Sequence, residues 1–218
     1  MLIVFDLDGT LIDSARDLAI ATNQTRAHFG LAPLDEKLIH SYVGNGAAML
    51  VRRSLGPEAS EQLVEEAVPY FVKYYRAHAL ANTRLYPGIS DLIGGLAADG
   101  HVMAVLTNKP VKISADILAG LGVGLHFRRI YGGNSFPEKK PDPVGITTLM
   151  SETGIHADQT WMVGDSAVDV QTARNAKVRV CGVAWGFQPE TFAKYPPDVM
   201  IQEPRELPGV FGTHRRES

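Results

Sequence analysis

From Leu2 the chain reads L-I-V-F-D-L-D-G-T-L-I-D-S: four apolar residues run directly into two aspartates separated by one leucine. A short continuous apolar run without helical spacing predicts a strand buried on both faces. Similar runs predict strands at His101–Leu106, Arg129–Tyr131, Thr160–Val163 and Val178–Val183, with a weaker one at Val199–Ile201. Between them, Ile89–Ala98, Val111–Leu121, Pro143–Glu152 and Ala167–Asn175 carry apolar residues at helical spacing. Glycines and prolines such as Pro87-Gly88, Gly100, Gly122, Pro141 and Gly164 punctuate the joins. Strands alternating with helices predict an α/β fold built on a parallel sheet.

The stretch from Ala15 to Asn82 breaks that rhythm. It offers helical patterns only, among them D-L-A-I-A-T-N-Q-T-R-A-H-F and E-Q-L-V-E-E-A-V-P-Y-F-V-K-Y-Y, where Pro69 predicts a kink or a break. Residues 15–82 therefore read as a helical cap domain inserted into a core of residues 1–14 and 83–218. The insertion point, just after the first strand, places it over the carboxyl edge of the sheet, where open α/β sheets bind ligands. G-T-H-R-R-E-S at the end reads as a frayed tail.

Composition narrows the function. The 218 residues are 45% hydrophobic and 21% charged, with a formal net charge of -3, so no global basic field draws the chain to nucleic acid. The pairs Arg52-Arg53, Arg128-Arg129 and Arg215-Arg216 read as solvated faces. The single cysteine, Cys181, excludes an internal disulfide and a multi-cysteine metal site, and its strand-like setting reads as a small buried hydrophobe. No apolar run approaches the ~20 residues of a membrane span, and no basic stretch precedes the first apolar run. A cytoplasmic protein with no membrane partner is the expectation. Apolar faces in the cap are compatible with a monomer or a homodimer.

The chemistry gathers where strands end. Asp6 and Asp8 follow the first strand, and Thr107, Asn108 and Lys109 the second. Lys139 and Lys140 follow the third, and Asp165, Ser166 and Asp169 the fourth. If these strands are parallel neighbours, the groups converge at one edge. Such a set suits phosphoryl transfer: a carboxylate to attack phosphorus, a second to carry a proton, and ammonium and hydroxyl donors to offset phosphate charge. Carboxylates also suit a hard cation such as Mg2+. Asp6 and Asp8, two apart on extended chain, project to the same side. Taken alone, each of these residues also fits a turn or a solvated surface.

In order, D-L-D-G-T-L-I-D-S, L-T-N-K-P, K-K-P-D-P and V-G-D-S-A-V-D-V resemble the four motifs of the haloacid dehalogenase-like superfamily. The resemblance implies a Rossmann-like core with an inserted helical cap. It implies Asp6 as nucleophile, Asp8 as general acid/base, and Thr107 and Lys140 as ligands of the phosphoryl group. For a Mg2+ cofactor it implies Asp6, the backbone carbonyl of Asp8, and Asp165, with Asp169 supporting the metal site. Lys139 competes with Lys140, and the motif's lysine-proline order selects Lys140. Dehalogenases and phosphonate hydrolases of the superfamily lack the second aspartate, and the mutases carry a cap histidine where this chain has Leu18. The reading is a phosphatase for a small phosphorylated metabolite. The alternatives are a related pyrophosphatase, nucleotidase, sugar phosphatase or mutase, or a non-catalytic binding protein.

Within the cap, Y-V-G-N-G-A-A-M-L-V-R-R resembles a stretch of bacterial phosphoglycolate phosphatases, which implies substrate contacts from Gly44, Asn45, Gly46 and Arg53, with Asn108 on the core side. The same stretch also fits a plain helix N-terminus with Arg53 on an exposed face. Two departures from the family stand out. Lys177 replaces the usual glycine after the fourth-motif helix and predicts an altered turn. W-G-F, Trp185 to Phe187, stands where the subgroup often has G-Y, and Trp185 and Phe187 read as core packing or as lining of the cleft.

Overall fold

The computed structural model describes residues 1–213. Of the expected tail, Gly212 and Thr213 close the last helix; His214 onward, with Arg215-Arg216, lies outside the described residues. The main sheet joins β1 (Leu2–Phe5), β4 (Val102–Leu106), β5 (Phe127–Tyr131), β6 (Thr160–Gly164), β7 (Arg179–Val183) and β8 (Val199–Ile201). Its order is β5-β4-β1-β6-β7-β8, and all its pairs are parallel. Six strand segments read from the apolar runs thus become one sheet.

The first strand shows why it is apolar on both faces. Leu2 and Val4 pack with Ile146 and Leu149 of α7 (Val144–Thr153) and Val170 and Ala173 of α8 (Ala167–Ala176). Ile3 and Phe5 face the other way, toward Ile93 of α5 (Ile89–Ala98), Ile117 of α6 (Val111–Gly120) and Phe211 of α9 (Leu207–Thr213). Phe5 is level with Val105 on one side and Val163 on the other. The residues that follow, Asp6, Thr107 and Asp165, therefore leave the sheet at nearly the same height.

After Asp8 the chain turns sharply. Gly9 adopts φ 81°, and Leu7 O accepts the N–H groups of Thr10, Leu11 and Ile12. The turn delivers β2 (Ile12–Asp13), which pairs antiparallel with β3 (Arg84–Leu85), two short strands that the apolar pattern does not mark. Between them lie α1 (Ala15–His28), α2 (Glu36–His40), α3 (Ala47–Leu55) and α4 (Glu61–His78), with no strand among them. These helices pack chiefly on one another, α4 against α1 and α3. Pro69 sits inside α4 without ending it, so of the expected kink or break the break is absent. Lys177 is the other correction. It takes up the left-handed conformation itself, at φ 57°, and its N–H still bonds Ala173 and Arg174 carbonyls, so the turn is kept and the strain falls on the lysine. No helix among the described residues is long and apolar enough to cross a membrane.

Candidate active site

Asp6 continues β1 by one bond, its N–H donating to Val163 O at 2.9 Å. Its carboxylate Oδ1 lies 2.9 Å from Lys140 Nζ, and the same ammonium lies 2.6 Å from Asp169 Oδ1. Lys140 is fixed through its backbone neighbourhood: Asn108 Nδ2 donates to Lys140 O at 3.1 Å, and Asn175 Nδ2 to Pro141 O at 2.8 Å. Of the two neighbouring lysines, Lys140 forms the ion pair with Asp6.

Asp165 follows β6, and its Oδ2 accepts the Phe187 N–H at 2.6 Å. Asp169 belongs to a capping box at the start of α8: its Oδ2 accepts from Ser166 N at 3.1 Å and Ser166 Oγ at 2.8 Å. Asp6, Asp165 and Asp169 are all buried, and each offers a carboxylate oxygen within 4.8 Å of the others. Both Asp169 oxygens are engaged by donors, so it acts as a brace for Lys140 and Ser166, while Asp6 and Asp165 are better placed to meet a cation. Glycines make the room. A Cβ at Gly9 would stand 2.2 Å from Asp165 Oδ2, and one at Gly186 2.1 Å from Asp165 Cβ.

Three buried carboxylates against one ammonium is an unbalanced set. Burial pushes the Asp6 carboxyl up to about 6, Lys140 opposing and Asp169 adding to the rise. Burial, then repulsion from Asp169 and Asp6, raises Asp165 well above the ordinary carboxylate range. Burial disfavours the Lys140 charge, but Asp169 and Asp6 together outweigh it and hold the ammonium strongly protonated. Hard oxygen donors with excess negative charge in a glycine-walled cradle fit a divalent cation such as Mg2+.

Asp8 is held apart from this cluster. It is half-buried, and its Oδ1 accepts from Ser14 Oγ and, at 2.8 Å, from Lys109 Nζ, which stands 3.1 Å from Oδ2. Lys109 also donates to Tyr75 Oη at 2.7 Å, a residue of α4. Ser14 and Tyr75 are absent from the sequence-level candidate set, and Lys109 appears there only as one polar group at the strand end.

A cavity of about 50 Å³ opens over these groups. Asp6, Asp8, Thr107, Asn108 and Asp165 form its floor, and Leu18, Leu50, Phe71 and Tyr75 form much of its roof. Gly44 and Gly46 line it as well. Asn45 is half-buried and off the lining, and Arg53 is exposed, its guanidinium reaching Tyr42 O at 3.4 Å. The structure thus assembles Asp6, Asp8, Thr107, Asn108, Lys140, Asp165 and Asp169 around one centre and leaves Arg53 outside it. Phe187 does line the cavity, while Trp185 packs against the core and donates Nε1–H to Thr10 O at 3.1 Å.

A family model for haloacid dehalogenase-like hydrolases matches residues 3–183. The chain belongs to the haloacid dehalogenase-like hydrolase family. Among curated relatives, the phosphoglycolate phosphatase of Pseudomonas fluorescens is 39% identical, over 97% of this chain and 80% of its own length. That of Chromobacterium violaceum is 41% identical over 85% of each chain. A crystal structure described as a predicted phosphoglycolate phosphatase from Haemophilus somnus superposes with a TM-score of 0.90 at 32% identity, covering 96% of both chains. Within the family this chain is a phosphatase, a phosphoric monoester hydrolase, and such enzymes generally use a metal ion.

Proposed function

We propose that this protein is a Mg2+-dependent phosphatase that hydrolyses 2-phosphoglycolate to glycolate and phosphate through an aspartyl-phosphate on Asp6. The observation that carries the reading is the separation of the two strand-end carboxylates. Asp6 lies in a buried cluster braced by Lys140, and Asp8 is held by a different lysine and a serine at the edge of the same cavity. Two carboxylates in two environments suit two roles.

In the first step a carboxylate oxygen of Asp6 attacks phosphorus, and the bond to the leaving oxygen breaks as that oxygen takes the Asp8 proton. In the second, water attacks the phosphorus of the aspartyl-phosphate, Asp8 takes its proton, and the Asp6 carboxylate is regenerated. Lys140 and the Thr107 hydroxyl offset charge on the transferring group. Asp6, the Asp8 carbonyl and Asp165 would hold Mg2+, braced by Asp169, and the ion supplies charge neutralisation for the phosphoryl oxygens.

Residues 15–82 act in this reading as a cap that closes over the cleft and excludes bulk water. The small volume of the cavity suits a two-carbon leaving group. Its carboxylate is received by the N-terminus of α3, where Gly46 and Ala47 line the cavity and no side chain caps the helix N–H groups. Asn45 and Arg53 take no contact in this reading. Leu18, which lines the cavity where mutases of the family carry a histidine, favours hydrolysis over phosphoryl shuttling. The relatives' names point to the same substrate.

Phosphate release from a panel of monophosphates, each with and without Mg2+, tests the proposal. Selective turnover of 2-phosphoglycolate that chelation abolishes is the expected result. Mg2+-dependent turnover spread evenly over sugar and nucleotide phosphates would overturn the substrate assignment. No turnover of any monoester would overturn the activity.

A further inference from the structure

The contact between Tyr75 and Lys109 joins the helical insertion to the proton-carrying carboxylate, and no step above uses it. Tyr75 lies on α4 and is 2% exposed, its ring parallel to that of Phe71 at 5.8 Å. Its hydroxyl oxygen accepts from Lys109 Nζ at 2.7 Å, and the ammonium also stands 4.5 Å from the centre of its ring. Burial raises the Tyr75 phenol to about 12, so the oxygen is that of a neutral phenol. An ammonium has three N–H groups, and here they face three acceptors: Asp8 Oδ1, Asp8 Oδ2 and Tyr75 Oη. The share is unequal. Oδ1 takes both Ser14 Oγ and the shorter Lys109 contact, and Oδ2 has only the longer one, at 3.1 Å. Oδ2 is therefore the less engaged oxygen and the one available to carry a proton to the leaving group.

We propose that Tyr75 is a positioning residue that acts through Lys109, drawing its ammonium toward the insertion so that its contact with Asp8 Oδ2 stays long and that oxygen remains available to the leaving oxygen while the insertion is seated on the sheet. The inference rests on Asp8 as general acid in the reading above. Without the Tyr75 oxygen, the buried Lys109 has only the Asp8 carboxylate to satisfy its N–H groups. The ammonium then settles fully on that carboxylate, and its 3.1 Å contact with Oδ2 tightens on the oxygen that delivers the proton. The same follows when α4 lifts away, so proton delivery is coupled to closure. The covalent step is unchanged: Asp6 forms its bond to phosphorus, and the proton goes to the leaving oxygen as the P–O bond breaks.

Leaving-group dependence separates this role from a structural one. An alkyl phosphate such as 2-phosphoglycolate needs its leaving oxygen protonated, whereas p-nitrophenyl phosphate releases a stable anion without that help. Tyr75→Phe keeps the ring and its packing and removes only the acceptor. With Mg2+-loaded protein we expect kcat for 2-phosphoglycolate to fall about tenfold with little change in KM, and kcat for p-nitrophenyl phosphate to fall less than about twofold. Because Tyr75 acts through Lys109, the double variant with Lys109→Met should be no slower on 2-phosphoglycolate than Lys109→Met alone. Equal losses on the two substrates, an unchanged kcat on the alkyl phosphate, or additive losses in the double variant would each overturn the proposal. So would a rise confined to KM for 2-phosphoglycolate, which would make the pair a substrate contact. The wild type distinguishes the two levels: one that hydrolyses neither substrate refutes the phosphatase reading and this proposal together, and an active one whose Tyr75→Phe variant shows no split refutes this proposal alone.

Discussion

Asp17 is the most informative residue to perturb outside the site. It lies in the first turn of α1, is 3% exposed, and faces the segment by which the chain returns from α4 to β3. Its carboxylate accepts from four donors: Asn82 N–H at 2.9 Å, Asn82 Nδ2 at 2.7 Å, and Thr83 N–H and Oγ1 at 2.8 Å each. One side chain thus fastens both chain crossings between the helical insertion and the sheet. Asp17→Ala leaves the two donors of Thr83, a residue with zero exposure, without a partner, and the half-exposed Asn82 can turn to water. An orphaned buried donor costs about 1–3 kcal/mol, so the two together predict a loss of about 3 kcal/mol, set against ~5–15 kcal/mol for a whole domain. In urea at pH 7, with m of about 2–3 kcal/mol/M, the midpoint should fall by about 1 M.

The pH dependence has a definite sign. Burial pushes the Asp17 carboxyl up, but the hydrogen bonds from Asn82 and Thr83 outweigh it and hold the group below its ordinary value of 3.8. Folded Asp17 therefore binds its proton less readily than the unfolded chain. Its contribution is complete above the ordinary value and is lost as pH falls through the lower folded one. The difference between wild type and Asp17→Ala should be constant from neutral pH down to about 5 and should shrink below 4. A variant with an unchanged midpoint, or a difference that persists undiminished into strong acid, would refute the reasoning.

Asp6→Asn should lose nearly all turnover of 2-phosphoglycolate, since an amide cannot form the acyl-phosphate, while its metal-free melting temperature stays level or rises because one of three mutually repelling buried groups is neutralised. A matched fall in melting temperature would mean that the loss of activity reports unfolding. Lys177→Gly should stabilise the protein by about 0.5–1 kcal/mol, because the exposed lysine at φ 57° carries a Cβ that the left-handed conformation disfavours; urea denaturation reads it directly.

Much of this molecule is legible in the chain because its central strands are buried on both faces. Leu2–Phe5 and Thr160–Val163 read as unbroken apolar runs for that reason, and the polar residues that end them converge because the sheet is parallel and its strands finish level. The pair β2 and β3 was not legible, since two-residue strands have no periodicity to detect. Lys109 could be placed at the sheet edge but not assigned. Its contacts depend on Tyr75, 34 residues before it in the chain, and on Ser14, six residues beyond Asp8. Nothing local in the sequence links them. Lys177 was misjudged in a simpler way: a rule about which residue prefers a left-handed turn says what the turn costs, not whether the surrounding helix and strand will impose it.

The G-N-G stretch of the insertion also has a structural role that its sequence does not announce. Gly44 and Gly46 have φ of 106° and 87°, and a Cβ on Gly46 would stand 3.0 Å from Asn108 O. The turn is gripped from the sheet side, Asn108 Nδ2 donating to Gly44 O at 2.9 Å and Gln188 Nε2 to Val43 O at 2.9 Å and Ser41 O at 3.2 Å. All three acceptors are backbone carbonyls. Seating the insertion on the sheet therefore requires backbone shape at 41–46, which only glycine permits at two positions, and asks nothing of the Asn45 side chain. Asn108 joins that seat to the chemistry, because the amide that holds Gly44 also holds the Lys140 carbonyl. The contact of the insertion with the sheet and the placement of the lysine beside Asp6 thus share one side chain. Each of the two strand-end carboxylates pairs with a lysine, and one side chain links each lysine to the insertion: Asn108 for Lys140 and Tyr75 for Lys109.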